Sequence, residues 1–135
     1  MNTYPVFSPN GTAIAFRRML GQKNSEVFVA ESGGHAVRNL TNSPAFDRWP
    51  AWSPDGTRLA FASNRNGPYQ IFVMRADGTH IQLVAQTTGR GTTPKWSRDG
   101  STIYFTICQI IGGGGDCEIY SAAGPHDAGA ESPWA

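Results

Sequence analysis

The sequence predicts an all-β chain in which one hairpin-rich unit is written three times. Three observations carry that prediction. Pro5, Pro50 and Pro94 recur at spacings of 45 and 44 residues, and each is followed two residues later by an aromatic residue, Phe7, Trp52 or Trp96. The segments "SPNG", "SPDG" and "SRDG" stand at matching places, residues 8–11, 53–56 and 97–100. The 135 residues include 16 Gly and 9 Pro, and no stretch keeps an apolar period of about 3.6 residues for three turns.

Each unit reads in the same order. A first strand ends at the Pro-x-aromatic signal and is followed by a tight turn. In the second copy Pro54 presets φ for the second turn position, and Ser53 can accept backbone hydrogen bonds. Asp55 favours the bridge region and Gly56 supplies a positive φ. The third copy has Arg98 in place of the proline but keeps Asp99-Gly100. Second strands follow as "AIAF", "RLAF" and "TIYF", ending at Phe16, Phe61 and Phe105. Third strands are "EVFVAESGG", "QIFVMRADG" and "EIYSAAG". A fourth, "HAVRNLT" or "HIQLVAQ", is legible only in the first two copies.

Alternation along these strands says how they pack. In "RLAFAS", Leu59 and Phe61 share one face while Ala60 and Ala62 share the other; in "QIFVM", Ile71 and Val73 oppose Phe72 and Met74. Both faces are apolar, so these strands belong in a sheet stacked between two others, whereas a two-layer sandwich would leave one face wet. "HIQLVAQ" is more polar and belongs at an outer edge. A period near 44 residues with four short antiparallel strands per unit is the signature of a propeller blade. The expected architecture is one segment, 1–135, of three blades at about 1–43, 44–88 and 89–135.

Composition excludes several partners. Net charge is +1 with no run of Lys or Arg, which argues against nucleic acid. No apolar stretch approaches the roughly 20 residues that span a bilayer, so no membrane insertion is expected. "MNTYPVFSPNGTAIAF" lacks both the basic and the continuous apolar region of an export signal.

The pattern P-x-W-S-P-D-G-x-x-L-A-F-x-S-x-R-x-G, followed by I-F-V-M-x-A-D-G, resembles the TolB-type (WD-repeat-like) β-propeller repeat. Copy two matches almost throughout, copy one departs in "RRMLGQKNS", and copy three diverges at "CQIIGGGGDC". The resemblance implies a six-bladed ring and a range of roles. Such propellers occur as periplasmic protein-docking scaffolds, as gating domains of prolyl-oligopeptidase-like peptidases and in oligogalacturonide lyases. It also implies that the residue three before the repeat Pro faces a central channel. That position holds Asn2, Asp47 and Gly91, and the next holds Thr3, Arg48 and Thr92. Some relatives hold a channel cation such as calcium, which needs several converging oxygens. One Asp, one Asn and one Gly supply few, so no cofactor is expected, and Asp47–Arg48 reads as a local ion pair or a solvated rim.

No catalytic constellation emerges. There is no G-x-S-x-G elbow. His35, His80 and His126 are scattered, the first two at turns between third and fourth strands. "GGGG" at 112–115 lacks the Lys-Ser/Thr of a phosphate loop and reads as a hairpin tip. Cys108 and Cys117 correspond to Asn64 and Tyr69 of copy two, opposite each other across the second hairpin. They are either a disulfide, implying an oxidising compartment such as the periplasm, or two reduced thiols.

Three blades do not close a ring, since propellers have about four to eight. Two copies paired head to tail would make six, so a homodimer is expected, with a segment of a longer propeller as the competing account. "SPWA" at 132–135 faintly echoes the start of a further copy, and "DAGAES" could form a weak outer strand. The functional expectation is a non-catalytic scaffold for a protein or peptide, with Arg17, Arg18 and Arg65 as loop contacts. The alternative is part of a propeller enzyme or peptidase gating domain with a ligand or metal in the channel.

Overall fold

A computed structural model describes residues 1–111 and 114–124. The described residues form eleven strands and no helix. β1 (Asn2–Phe7), β2 (Ala13–Met19), β3 (Ser25–Glu31) and β4 (Arg38–Asn39) make the first antiparallel sheet, in that spatial order. β5 (Asp47–Trp52), β6 (Arg58–Ser63), β7 (Gln70–Arg75) and β8 (Gln82–Leu83) repeat it. β9 (Arg90–Trp96), β10 (Thr102–Ile111) and β11 (Gly114–Ala123) give a third sheet of three strands. β1 touches β5 and β5 touches β9, so the first strands lie side by side. "SPWA", "DAGAES", His126 and Gly112-Gly113 lie outside the described residues.

The outer strands are two residues long, shorter than "HAVRNLT" and "HIQLVAQ" suggest. After one further bond, Leu40 N to Val27 O at 2.8 Å or Val84 N to Ile71 O at 2.9 Å, the chain leaves the edge for the next sheet. In the first two sheets a polar side chain near the start of the third strand holds that departing connector. Glu26 accepts from the Thr41 hydroxyl and, at 2.9 Å, from Ser43 N. Gln70 accepts from Thr87 N at 3.1 Å and from the Thr87 hydroxyl at 2.8 Å.

The sheets stack through both faces, as the alternation requires. Ala15, Val27 and Val29 of the first sheet share a core with Leu59, Phe61, Phe72 and Met74 of the second. The opposite face of the second sheet, Ala60, Ala62, Ile71 and Val73, packs on Ile103, Phe105 and Ile107 of the third. Indoles tie the stack together: Trp52 Nε1 donates to Val6 O at 3.1 Å, and Trp96 Nε1 to Ala51 O at 3.0 Å, each reaching the preceding sheet.

The three turns are one hydrogen-bonded device. Ser53 Oγ accepts from Arg58 N at 3.0 Å and donates to Asp55 Oδ1 at 2.7 Å, while Thr57 donates its amide and hydroxyl to the same oxygen. Ser8, Asn10 and Thr12 reproduce the pattern, as do Ser97, Asp99 and Ser101. Turns also stack on turns, since a Cβ at Gly56 or Gly100 would sit 3.6 Å from the ring of Pro9 or Pro54.

First strands carry an irregularity that their residues do not announce. Tyr4, Trp49 and Thr93, each immediately before the repeat proline, have φ of 55°, 54° and 48°. Pairing breaks there, between Thr3 and Val6, between Arg48 and Ala51, and opposite Tyr104–Thr106. A residue before proline normally takes β or polyproline geometry, so these three are bulges held by their surroundings.

Two outcomes follow from this packing. Leu59 is wholly buried between two sheets, so Leu59→Ala should lower the unfolding free energy by about 2–5 kcal/mol in urea titration. The Asp99 carboxyl is lowered from 3.8 to about 2 by hydrogen bonds, that from Ser97 first and then those from Ser101. Its contribution to stability is thus present above the ordinary value and is lost as pH falls toward about 2. In a carboxyl NMR titration, Ser97→Ala should move the Asp99 midpoint up toward 3.8.

Candidate functional site

The residues expected at a channel do not act as one polar cluster. Asn2 is exposed and accepts from Arg18 Nε at 3.0 Å. Thr3 is half-buried opposite Arg17, and Thr92 is half-buried opposite Thr106. Gly91 is buried, and a Cβ there would meet Ile71 Cγ1 at 3.3 Å and Tyr69 O at 3.4 Å, so the position serves close packing.

Asp47 is fully buried, and its ion pair is with Arg65, not with its neighbour Arg48. Arg65 Nη2 lies 3.0 Å from Asp47 Oδ2, and Arg65 also donates to Ser63 Oγ at 2.9 Å while its guanidinium covers Phe61 and Phe72. Consecutive strand residues point to opposite faces, which is why Asp47 and Arg48 separate. Arg65 is therefore a structural cation rather than a free loop contact. Arg17 and Arg18 are not loop residues either, because β2 continues through both. Arg18 lies over Phe16 and Phe28, at 5.4 and 4.5 Å, on the outer face of the first sheet, where it lines a groove with Ile14 and Ala30.

Beside Asp47 lies Glu26, only 2% exposed. Burial raises its pKa, with hydrogen bonds from Thr41, Ser43 and Asn24 working against that rise. The oxygens here fit a calcium cage poorly. Asp47 already holds a guanidinium, Glu26 clamps a connector, and among the described residues no three His, Cys, Asp or Glu side chains converge.

Across the first strands, the protein assembles an aromatic–arginine ribbon. The bulges turn Tyr4 and Trp49 toward each other, with ring centroids 5.9 Å apart, and Trp49 meets Tyr69 at 6.2 Å. Arg17 lies 5.2 Å over Tyr4. Arg48 lies 5.0 Å over Trp49 and 4.4 Å over Tyr69, and also donates to the Tyr69 hydroxyl. Arg90, from the third sheet, lies 5.4 Å over the same Tyr69 ring. Thr93 takes the aromatic position in the third sheet and donates to Thr106 at 3.4 Å, so the row of rings ends there.

Sequence reading singles out Arg17 and Arg48 but passes over Tyr4, Trp49, Tyr69 and Arg90. A signal for two of them exists: Tyr4 and Trp49 share a repeat position, one residue beyond the channel positions Thr3 and Arg48.

Catalytic geometry is not assembled among the described residues. His35 and His80 are exposed at turns. His80 Nδ1 lies 3.0 Å from Thr79 Oγ1, whose proton goes to Asp77 Oδ1 at 2.6 Å, so the contact is turn structure. Cys108 and Cys117 sit directly opposite each other in β10 and β11 and form a disulfide with S–S 2.06 Å.

Comparison with known proteins matches this architecture. The family described as the TolB beta propeller domain matches residues 1–122. The uncharacterized peptidase YuxL of Bacillus subtilis is 30% identical over 115 residues, covering 78% of this chain and 17% of that protein. The Tol-Pal system protein TolB of Hydrogenovibrio crunogenus is 32% identical over 84 residues, covering 62% of this chain and 19% of that protein. The chain thus spans under a fifth of the length of either relative. The structure of putative TolB from Agrobacterium tumefaciens superposes with a TM-score of 0.73 at 20% identity, over 92% of this chain and 50% of that one. With three stacked antiparallel sheets and a match running from residue 1 to 122, the chain belongs to the TolB β-propeller domain family.

Proposed function

We propose that the chain is a non-catalytic propeller scaffold that binds a protein or peptide, and that two copies stack head to tail to close a six-bladed ring. The three sheets are read as blades at about 1–43, 44–88 and 89–135. The ribbon carries the scaffold reading. What the first strands present is ring and guanidinium surface drawn from all three sheets, and aromatic and arginine side chains are the ones enriched in protein-recognition surfaces. Membership of a protein of the Tol-Pal system in the set of relatives agrees with a protein partner.

Repeat equivalence supports ring closure. Ile119, 78% exposed on β11, is the counterpart of Val27 and Ile71, both buried against the next sheet. Those two share their clusters with Leu59 and Phe61, and with Ile103 and Phe105. The matching residues of the first sheet are Ile14 and Phe16, which line a groove of about 270 Å³ with Ala30 and Val37. A second copy gives Ile119 that groove as its seat, and Tyr104, 45% exposed beside it, is covered in the same step. The junction lacks one tie. Phe7, 64% exposed, stands where Trp52 and Trp96 donate to a preceding sheet, and a phenyl ring has no N–H.

A second reading is a blade segment of a longer peptidase propeller. It is favoured by the identity to YuxL over 78% of this chain. The disulfide suits an oxidising compartment, and with the family resemblance we assign the periplasm. No helix among the described residues is long and apolar enough to cross a membrane. Neither nucleic acid nor a cofactor is required by the scaffold reading.

Sedimentation equilibrium decides ring closure. The expected mass is twice the 14.6 kDa of the chain. Ile119→Asp should give monomers, and Phe7→Trp should tighten the dimer about tenfold by supplying a donor to the Lys95 carbonyl of a second copy. A folded wild-type monomer at millimolar concentration would exclude closure by self-association.

A further inference from the structure

The ribbon has a chemical polarity that its role as a recognition surface leaves unexplained. It carries three guanidinium groups, Arg17, Arg48 and Arg90, and among the described residues none of them has a carboxylate partner. The nearby acids are held elsewhere: Asp47 by Arg65 through Oδ2, its Oδ1 being buried without a partner, and Glu26 by Thr41 and Ser43. Arg17 Nε, Arg48 Nε and Thr3 Oγ1 are buried without a hydrogen-bond partner. A guanidinium stacked parallel to an aromatic face keeps its donors in its own plane, where they fit the two oxygens of a carboxylate, although Arg48 already gives one Nη2 donor to the Tyr69 hydroxyl.

We propose that this ribbon is a carboxylate-recognition strip for an acidic peptide segment of a partner protein. Side-chain carboxylates of the segment pair with Arg17, Arg48 and Arg90, and Tyr4 and Trp49 receive its apolar atoms. Tyr4, 44% exposed, lies between Arg17 and Trp49 and so sits inside the strip rather than at its margin. A peptide is favoured over a polyanion because the whole chain carries a net charge of only +1 and the Tyr4 and Trp49 rings set Arg17 apart from Arg48 and Arg90, which share Tyr69. The inference rests on the scaffold reading and adds to it the chemistry of the ligand.

The test titrates the full chain with an end-capped glutamate-rich peptide and follows the arginine Nε–H and tryptophan indole signals by NMR. Shifts are expected at Arg17, Arg48 and the Trp49 indole. Affinity should fall at least tenfold for the glutamine version of the peptide, and should fall as salt is raised. Arg90→Gln, at an exposed position, should weaken binding about tenfold with unchanged thermal unfolding, and Arg17→Lys should retain part of the affinity by keeping charge without the fork. Equal binding of the glutamine peptide, or shifts mapping away from the ribbon, would overturn the inference and leave a scaffold with a different specificity. Competition by inorganic phosphate at the peptide's own concentration, or tighter binding of a single-stranded oligonucleotide, would also overturn it. Absence of binding by either peptide would overturn it too, while the mass measurement above tests ring closure separately.

Discussion

The conformation of one residue per repeat, the one before the repeat proline, controls most of what this chain presents. Tyr4, Trp49 and Thr93 hold a positive φ that costs an ordinary side chain of order 1–3 kcal/mol. The strain persists because both sides of it are fixed. On one side, residues 2–3, 47–48 and 92 pair with the second strand; on the other, pairing resumes by the second residue after the bulge at latest. Beyond the proline, Trp52 and Trp96 anchor to a carbonyl of the preceding sheet. The bulge turns one side chain per sheet out of the pleat, and in the first two sheets that side chain is aromatic. The ribbon is therefore a consequence of how the first strands are bent, with Arg17, Arg48 and Arg90 settling on the rings so exposed.

Polar groups buried between the sheets serve the same end by fixing where each sheet begins. Glu26 and Gln70 occupy one repeat position and both grip the connector that leads to the next first strand. Glu118 occupies that position in the third sheet, where it is exposed and accepts from the Tyr120 hydroxyl at 3.2 Å. Asp47 marks the start of β5, and Arg65 satisfies its charge while covering Phe61 and Phe72. A buried carboxylate without such a partner would cost several kcal/mol, a penalty that the Arg65 guanidinium offsets at the start of β5. Removing Arg65 alone would leave the Asp47 carboxyl buried without its partner at the junction of two sheets.

The fold was legible because its signals are local. Proline, the Ser-x-Asx-Gly turn and two-faced alternation act over a few residues, and each repeats at a fixed period, so Leu59 and Phe61 could be placed on one face without a structure. The site was less legible because its contacts join residues far apart in sequence. Asp47 and Arg65 are 18 residues apart, and Arg48 and Tyr69 are 21 apart. Adjacency in sequence suggested an Asp47–Arg48 pair that the pleat of a strand forbids. Likewise "RRMLGQKNS" reads as a loop by its polarity, yet Arg17 and Arg18 lie in β2, half-buried with their guanidinium groups over rings. The outer strands are shorter than their sequences suggest for a related reason: their residues allow pairing, but the pull of Glu26 and Gln70 on the connectors ends it early.

These placements set the character of the first strands. The family resemblance points to a polar residue facing a channel, and the one acid at that position, Asp47, is enclosed and paired with Arg65. The groups that remain at the surface are cationic and mounted on rings. A site of that sign selects against cations and toward carboxylates. Its strength depends on geometry more than on total charge, because planar guanidinium groups held on aromatic faces lose little freedom when a ligand binds. The same bend that keeps the first strands side by side thus sets the chemistry of what they can recognise. A change at Tyr4 or Trp49 would alter both the stacking of the sheets and the spacing of the arginines.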